Sequence, residues 1–241
     1  MVGWRTVKFQ VCGPGPARHT RNVRIITCPG VFAPRSDTWM LADALTDQAG
    51  LEGADVLELG TGSGAIAVAA ARAGARNVVV VDVSRRALAC ARLNARLNGA
   101  RLEARRGDLF APVRERRFDY VVSNPPYLPA PDPRVGGRLP TRGAARAWEG
   151  GGDGRTVLDR ICAQIGYHLR PRGTVLLMQS SVNGLAPTLK ALEAAGLRSD
   201  VVAHRRGPLG PLLGARAVEL RARGLLGPED EEELYVVRGR R

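Results

Sequence analysis

The five residues SNPPY, Ser123 to Tyr127, follow the apolar run FDYVV and set two prolines between an amide and an aromatic ring. The side-chain oxygen of Asn124 and the carbonyl of Pro125 are both acceptors, so together they can take the two N–H bonds of one planar NH2 group in a fork. Pro126 brings no competing N–H and stiffens the turn. Tyr127 can stack on a planar group held there. The nitrogen of an amide or an aromatic amine is a poor nucleophile, because its lone pair is delocalised. Accepting bonds from both its hydrogens favours the electron-rich, pyramidalising form and aligns it for in-line displacement. No side-chain base is evident, and none is required, since the proton becomes acidic once the nitrogen is alkylated. The motif points to group transfer onto a planar nitrogen and does not tell a glutamine amide from an adenine or cytosine amine.

A second set of residues suits the other reactant. Glu58-Leu59-Gly60-Thr61-Gly62-Ser63-Gly64 joins an apolar run to a helical pattern, and its G-x-G-x-G spacing lacks the G-x-G-x-x-G of a dinucleotide fingerprint. Glycines let the backbone approach a ligand closely, and the helix that follows presents N–H groups suited to a carboxylate. Asp82, with Val83 after it, ends the next apolar run, where a carboxylate can accept both hydroxyls of a ribose. Asp108, in RRGDLF, is placed to bind an adenine amino group, with Leu109 donating a backbone N–H. Taken singly, each acid could equally cap a loop.

The elements that carry these residues alternate between two patterns. ADVLELG (54–60), NVVVVDV (77–83), a weaker RLEARRG (101–107), FDYVVSN (118–124) and GTVLLMQS (173–180) predict strands of a sheet buried on both faces. Helices are expected over SGAIAVAAARAG (63–74), closed by Gly74, and over RRALACARLNARLN, capped by Ser84 and ended by Gly99. A third, DGRTVLDRICAQIGYHL (153–169), sets Val157, Leu158, Ile161 and Ile165 on one face. A helix near 184–195, a strand near 197–203 and ELYVVRG (233–239) complete the pattern. This is an α/β fold with a mostly parallel sheet, whose ligands sit at the carboxyl ends of the strands. The stretch 125–143 is too rich in Pro and Gly for regular structure. The stretch 205–233 is too long for a hairpin loop, and its LLGARAVELRARGLL predicts a surface helix on the flank, with a lid or partner surface as the alternative.

Length and composition narrow the class. The 241 residues suit one domain: 1–50 as a leading strand and helix segment, 51–204 as a ligand-binding core, and 205–233 as an insertion between the last two strands. The start, MVGWRTVKFQVCG, has no apolar signal segment, so a cytoplasmic protein without membrane spans is expected. Cys12, Cys28, Cys90 and Cys162 are widely spaced and form no C-x-x-C pair, and His19, His168 and His204 are far from one another, which predicts reduced thiols and no metal site. Net charge is +13, and of the 36 basic residues only Lys8 and Lys190 are lysines. The arginines are spread along the chain, the pattern of a solvated basic surface more than of a nucleic-acid stripe.

Taken together, GTGSGA, VDVS, GDLF and NPPY resemble the class I S-adenosylmethionine-dependent methyltransferases, whose sheet runs 3-2-1-4-5-7-6 with the last strand antiparallel. Two further stretches are similar to the HemK2-type (HemK/PrmC-like) protein glutamine N5-methyltransferases. They are VFAPRSDTWMLADAL (31–45), with that family's PxxDT segment, and AARAWEGGGDGRTVLDRI (144–161), with its A-W-x-G-G-x-x-G segment. The resemblance implies methylation of the glutamine in the Gly-Gly-Gln loop of a class I peptide chain release factor. It implies Thr38, Glu58, Gly60, Thr61, Gly62, Gly64, Asp82, Val83, Asp108, Leu109 and Asn124 around the donor S-adenosylmethionine. Asn124, Pro125 and Tyr127 would hold the glutamine. Asp37 is a candidate to position substrate or donor, or, with Thr38, to cap a helix beginning at Trp39. Trp148 and glycines 150–152 are candidates for a mobile wall or, equally, for a packed tryptophan beside a turn. Some relatives use a small zinc-ribbon (Trm112-like) activator that pairs with the third strand. The alternative is an amino-methyltransferase acting on DNA or RNA bases, which shares NPPY, although no target-recognition domain is evident.

Overall fold

The computed structural model of the protein describes residues 5–6, 23–131 and 144–241. A ribbon of β1 (Arg5–Thr6) and β2 (Ile26–Thr27) leads to helix α1 (Ser36–Thr46). There follow β3 (Asp55–Leu59), α2 (Ala65–Arg72), β4 (Asn77–Asp82), α3 (Arg85–Leu97), β5 (Glu103–Arg106) and β6 (Phe118–Ser123). Then come α4 (Thr156–His168), β7 (Leu169–Ser180), α5 (Leu185–Ala194), β8 (Arg198–Pro208), short helices α6 (Pro211–Gly214) and α7 (Ala217–Ala222), and β9 (Glu231–Arg240). Strands β3 to β9 form one sheet in the order β5-β4-β3-β6-β7-β9-β8. Counted within that sheet alone, the order is 3-2-1-4-5-7-6, with β9 antiparallel to both neighbours and the other pairs parallel.

The apolar runs are strands because both faces of the sheet are covered. Successive side chains of a strand point to opposite faces. Val56, Val80 and Val122 accordingly pack on one face with α1, α2 and α3, while Leu57, Val81 and Val121 pack on the other with α4 and α5. Complete burial of a residue such as Leu57 is worth roughly 1.5–3 kcal/mol. The Ser84 hydroxyl caps α3 by accepting from the Ala87 N–H at 3.3 Å, as its sequence predicts.

Helix α3 also anchors the chain that precedes α1. The Asn94 amide accepts from the Ile26 N–H and donates to the Ile26 carbonyl, at 2.8 and 2.9 Å. One turn on, Asn98 does the same with Arg24, at 2.8 and 2.7 Å. The two side chains thus act as rungs of a ladder that fixes residues 24–26 and starts 28–35 on a path over the carboxyl edge of the sheet.

Several expectations are corrected. Helix α1 begins at Ser36, before Trp39, with Arg35 at the N-cap position. Thr38 lies in its first turn and helps to cap it by accepting from the Arg35 N–H at 3.2 Å, while Asp37 accepts from the Thr38 N–H. Strand β7 starts at Leu169, directly from α4. The arms of β8 and β9 reach Pro208 and Glu231, so the connection between them is shorter than 205–233. Its amphipathic stretch is two short helices, because Gly214 ends α6 where a helix former would continue it. Nor does it lie on the flank: Leu213 and Leu220 are buried with Leu128 and Val182, beside the chain that follows NPPY. Residues 132–143 of the Pro- and Gly-rich stretch, and Cys12 and His19, lie outside the described residues. Among the described residues, no helix is long and apolar enough to cross a membrane.

Candidate active site

The carboxyl ends of β3, β4 and β6 open into a cavity of about 680 Å³. After β3 the chain turns through Gly60, Gly62 and Gly64, all with left-handed backbones. Glu58 is buried beneath this turn and organises it: one carboxylate oxygen accepts from the Thr61 hydroxyl at 2.7 Å and the Ala67 N–H of α2 at 3.1 Å. Burial pushes the Glu58 carboxyl up to about 8, although these two bonds oppose the shift. Asp82, at the tip of β4, accepts from the N–H groups of Gly62 and Ser84 at 3.1 and 2.8 Å. Burial raises its carboxyl as well. A cation bound beside these two acids on adjacent strand tips would favour their ionised forms against the cost of burial.

Thr38, Gly60, Thr61, Gly62, Val83, Asp108, Leu109 and Asn124 join these acids in lining the cavity. Gly64 does not. A Cβ there would stand 2.7 Å from the Ala91 Cβ, so this glycine serves the packing of α2 against α3. Asp108 stands at the rim, ion-paired with Arg160 at 2.6 Å. Leu109 has φ of +47°, a strained backbone for a branched side chain of the kind that gathers at ligand sites. The lining that the sequence did not reveal is Gly30, Val31, Phe32 and Pro34, brought there by the Asn94 and Asn98 rungs, together with Arg146 and Arg160.

A smaller cavity of about 220 Å³ adjoins the first, and Phe32, Asn124, Pro126 and Ala147 line both. Pro125 and Tyr127 line the smaller one only. Asn124 donates from Nδ2 to Asp37 Oδ2 at 3.1 Å, and the Tyr127 hydroxyl donates to the same oxygen at 3.1 Å. The other Asp37 oxygen accepts from the Thr38 N–H at 2.7 Å. With a carboxylate facing its NH2, the Asn124 amide is left with Oδ1 as the atom it offers a ligand. Burial, and next the Asp37 charge, raises the Tyr127 hydroxyl well above its ordinary range, so it remains a donor. Asp37 is therefore the residue that orients the motif, a role the sequence left undecided.

The AWEGGGDG stretch forms the far side. Leu128 and Trp148 are linked by a backbone bond of 2.8 Å, Gly150 and Leu128 by one of 2.9 Å, and Ala130 and Gly151 by one of 2.8 Å. A Cβ on Gly150 would run into the Pro126 carbonyl, and one on Gly154 into the Tyr127 carbonyl. These glycines let two backbones touch, and the wall expected to be mobile is paired along its length. Trp148 packs 6.4 Å from Phe32 and lines the smaller cavity.

The family model described as the methyltransferase small domain matches residues 22–161, more than half of the chain. The chain belongs to that methyltransferase family. This methyltransferase is 34% identical, over 83% of its own length and 97% of the other's, to a Methanocaldococcus jannaschii protein provisionally named a protein N5-glutamine methyltransferase. It is 37% identical to the release factor glutamine methyltransferase of Gloeobacter violaceus over 75% of this chain, and spans 64% of that relative's length. Among solved structures, one similar to it is that of the E. cuniculi Mtq2-Trm112 complex, responsible for methylation of the eRF1 translation termination factor. The TM-score is 0.59 with 27% identity, covering 88% of this chain and 99% of the other.

Proposed function

We propose that this methyltransferase transfers the methyl group of S-adenosylmethionine to the side-chain nitrogen of the glutamine in the Gly-Gly-Gln loop of a class I peptide chain release factor. The observation that carries the reading is the position of Asn124 at the junction of two cavities, with its NH2 turned away onto Asp37. The larger cavity fits the donor: its volume lies within the roughly 300–1,000 Å³ usual for small-molecule sites, and its buried acids suit a cationic ligand. Bound there, S-adenosylmethionine supplies an electrophilic methyl on a sulfonium. Asp82 would accept from the ribose hydroxyls, with Val83 beside it. Thr38, Gly60, Thr61 and Gly62 would cradle the donor's amino-acid end, while Asp108 and Leu109 would meet the adenine and Glu58 would hold the turn in shape.

Asn124 Oδ1 and the Pro125 carbonyl would accept the two amide hydrogens of the glutamine, while Tyr127 packs on its plane. The nitrogen lone pair forms the new bond to carbon as the sulfur–carbon bond breaks towards sulfur. The amide proton then leaves to solvent. We take the chain as one methyltransferase domain working in the cytoplasm, where release factors act. A small zinc-ribbon activator would add a strand to β5, the outermost strand of the sheet on that side.

The test uses methyl-labelled S-adenosylmethionine with a release factor, its Gly-Gly-Gln→Gly-Gly-Ala variant, and duplex DNA and RNA as parallel acceptors. Label on the release factor that disappears in the alanine variant is expected. Label on nucleic acid alone would make the base-methylating alternative correct and sink the glutamine reading.

A further inference from the structure

The connection between β8 and β9 has no part in the chemistry above, yet Gly210, Pro211, Leu212 and Leu213 line the smaller cavity. It is tied down at three places. At its root, the Gly210 N–H donates to Glu232 Oε1 at 3.2 Å, and the other oxygen of Glu232 accepts from the Ser180 hydroxyl at 3.1 Å. Before α7, Arg216 donates to the Pro129 carbonyl and to Glu149 Oε1, both at 2.6 Å. After α7, Arg223 donates to the Ala130 carbonyl at 2.8 Å, to the Gly152 carbonyl, and to Glu219 at 2.9 Å. Each arginine therefore bridges two strips of chain. One, 128–130, continues from NPPY; the other, 148–152, forms the opposite wall.

We propose that this connection is a fixed wall of the acceptor cavity, and that Arg216 and Arg223 are positioning residues that set acceptor affinity by holding those two strips at the required spacing. The inference rests on reading the smaller cavity as the acceptor site. A planar guanidinium holds acceptors on both strips in a fixed fork, where a lysine ammonium is a point charge on a flexible stem that sets no such spacing. Both side chains are largely enclosed, at 19% and 17% exposure. Leu213 and Leu220 are buried beneath them. A lid needs the reverse: few buried contacts and a low cost of opening. Neither arginine lines a cavity itself. The Arg223 partners Ala130 and Gly152 line neither, whereas the Arg216 partner Glu149 lines the larger one, so Arg223 is the residue whose loss spares the donor.

The experiment compares Arg216→Met, Arg223→Met, the double variant and Arg216→Lys with the wild-type chain. It reads methylation kinetics with the release factor, donor Kd by calorimetry, and amide hydrogen exchange. Each methionine variant is expected to raise the release-factor KM by about tenfold and the pair by about a hundredfold, with kcat within about threefold. Donor Kd stays unchanged in Arg223→Met, and Arg216→Lys falls between wild type and Arg216→Met. Folded variants with wild-type KM, or an Arg223→Met variant that loses donor affinity in step, would overturn the proposal.

Hydrogen exchange on the wild-type chain decides the matter even if the double variant does not fold. Slow exchange over 213–224 without donor, unchanged by adding it, is the expected result. Fast exchange that donor suppresses would mean a lid and would overturn the wall. A wild-type chain that leaves the release factor unmethylated refutes the glutamine reading, while the exchange result still judges the wall.

Discussion

The two cavities are built in opposite ways. The floor of the larger is framed by backbone at strand tips and by acids within a short span: Gly62 pairs with Asp82 across 20 positions, and Asp82 with Ser84 across 2. Its cover at residues 30–34 is the part set from far away, by Asn94 and Asn98. The smaller is assembled from segments far apart, through side chains. Asn124 reaches Asp37 across 87 positions, Arg216 reaches Pro129 across 87, and Arg223 reaches Ala130 across 93. A donor site made locally by strand and turn can stay the same while the acceptor changes. An acceptor site made by long-range side-chain bonds can be altered without disturbing the sheet.

That contrast can be broken most severely at the atom where the cavities meet. Asn124→Ala should lower the single-turnover rate by about a thousandfold, the scale seen when one preorganised polar contact to a transition state is removed. Donor Kd should move little, and a fully active variant would show the site to be misassigned. Next is Asp37→Asn. An amide can keep an oxygen facing both Asn124 and Tyr127 only by turning its NH2 onto the Thr38 N–H from which Asp37 Oδ1 accepts, so the rate at saturating donor and acceptor should fall about a hundredfold by misalignment. A change confined to donor Kd would move Asp37 to the other cavity.

Asp82→Ala tests the larger cavity. Loss of a charged acceptor should weaken donor binding by about thirtyfold while leaving the rate at saturating donor near that of wild type. Equal loss in both would merge the two halves. The smallest effect, taken per pH unit, is a pH slope. Glu58 has a folded value of about 8 against an ordinary 4.5, so the folded state holds its proton more tightly. Its stabilising contribution is complete below about 4.5 and is lost as pH rises through about 8, at no more than about 1.4 kcal/mol per pH unit. Glu58→Gln should flatten denaturant-derived stability across that window, and an unchanged slope would place the titration elsewhere.

How far the sequence foretold the molecule follows the same division. β3, β4 and β6 are legible because a strand covered on both faces must be apolar throughout, and Asp82 and Asn124 because their places at strand ends follow at once. Gly64 packs against Ala91 and does not line the cavity, and in sequence a glycine that admits a neighbouring helix looks like one that admits a ligand. Asn94 and Asn98 pass for the polar side of an amphipathic helix, because nothing local says that a backbone 68 to 74 positions earlier will pair with them. The amphipathic pattern of LLGARAVELRARGLL showed that the segment packs on something, without showing on what. Arg216 and Arg223 were lost among the 36 basic residues of a chain whose charge looked like general surface.

The asparagine ladder has a consequence for the order in which the molecule can be made. Residues 24 and 26 leave the ribosome before the side chains that complete their hydrogen bonds, which lie at positions 98 and 94. At about 5–20 residues per second, that is a wait of roughly 3–15 s before a partner is even synthesised. The strip that covers the donor cavity is thus translated well ahead of the helix that holds it, and it cannot be seated until α3 has been translated and folded.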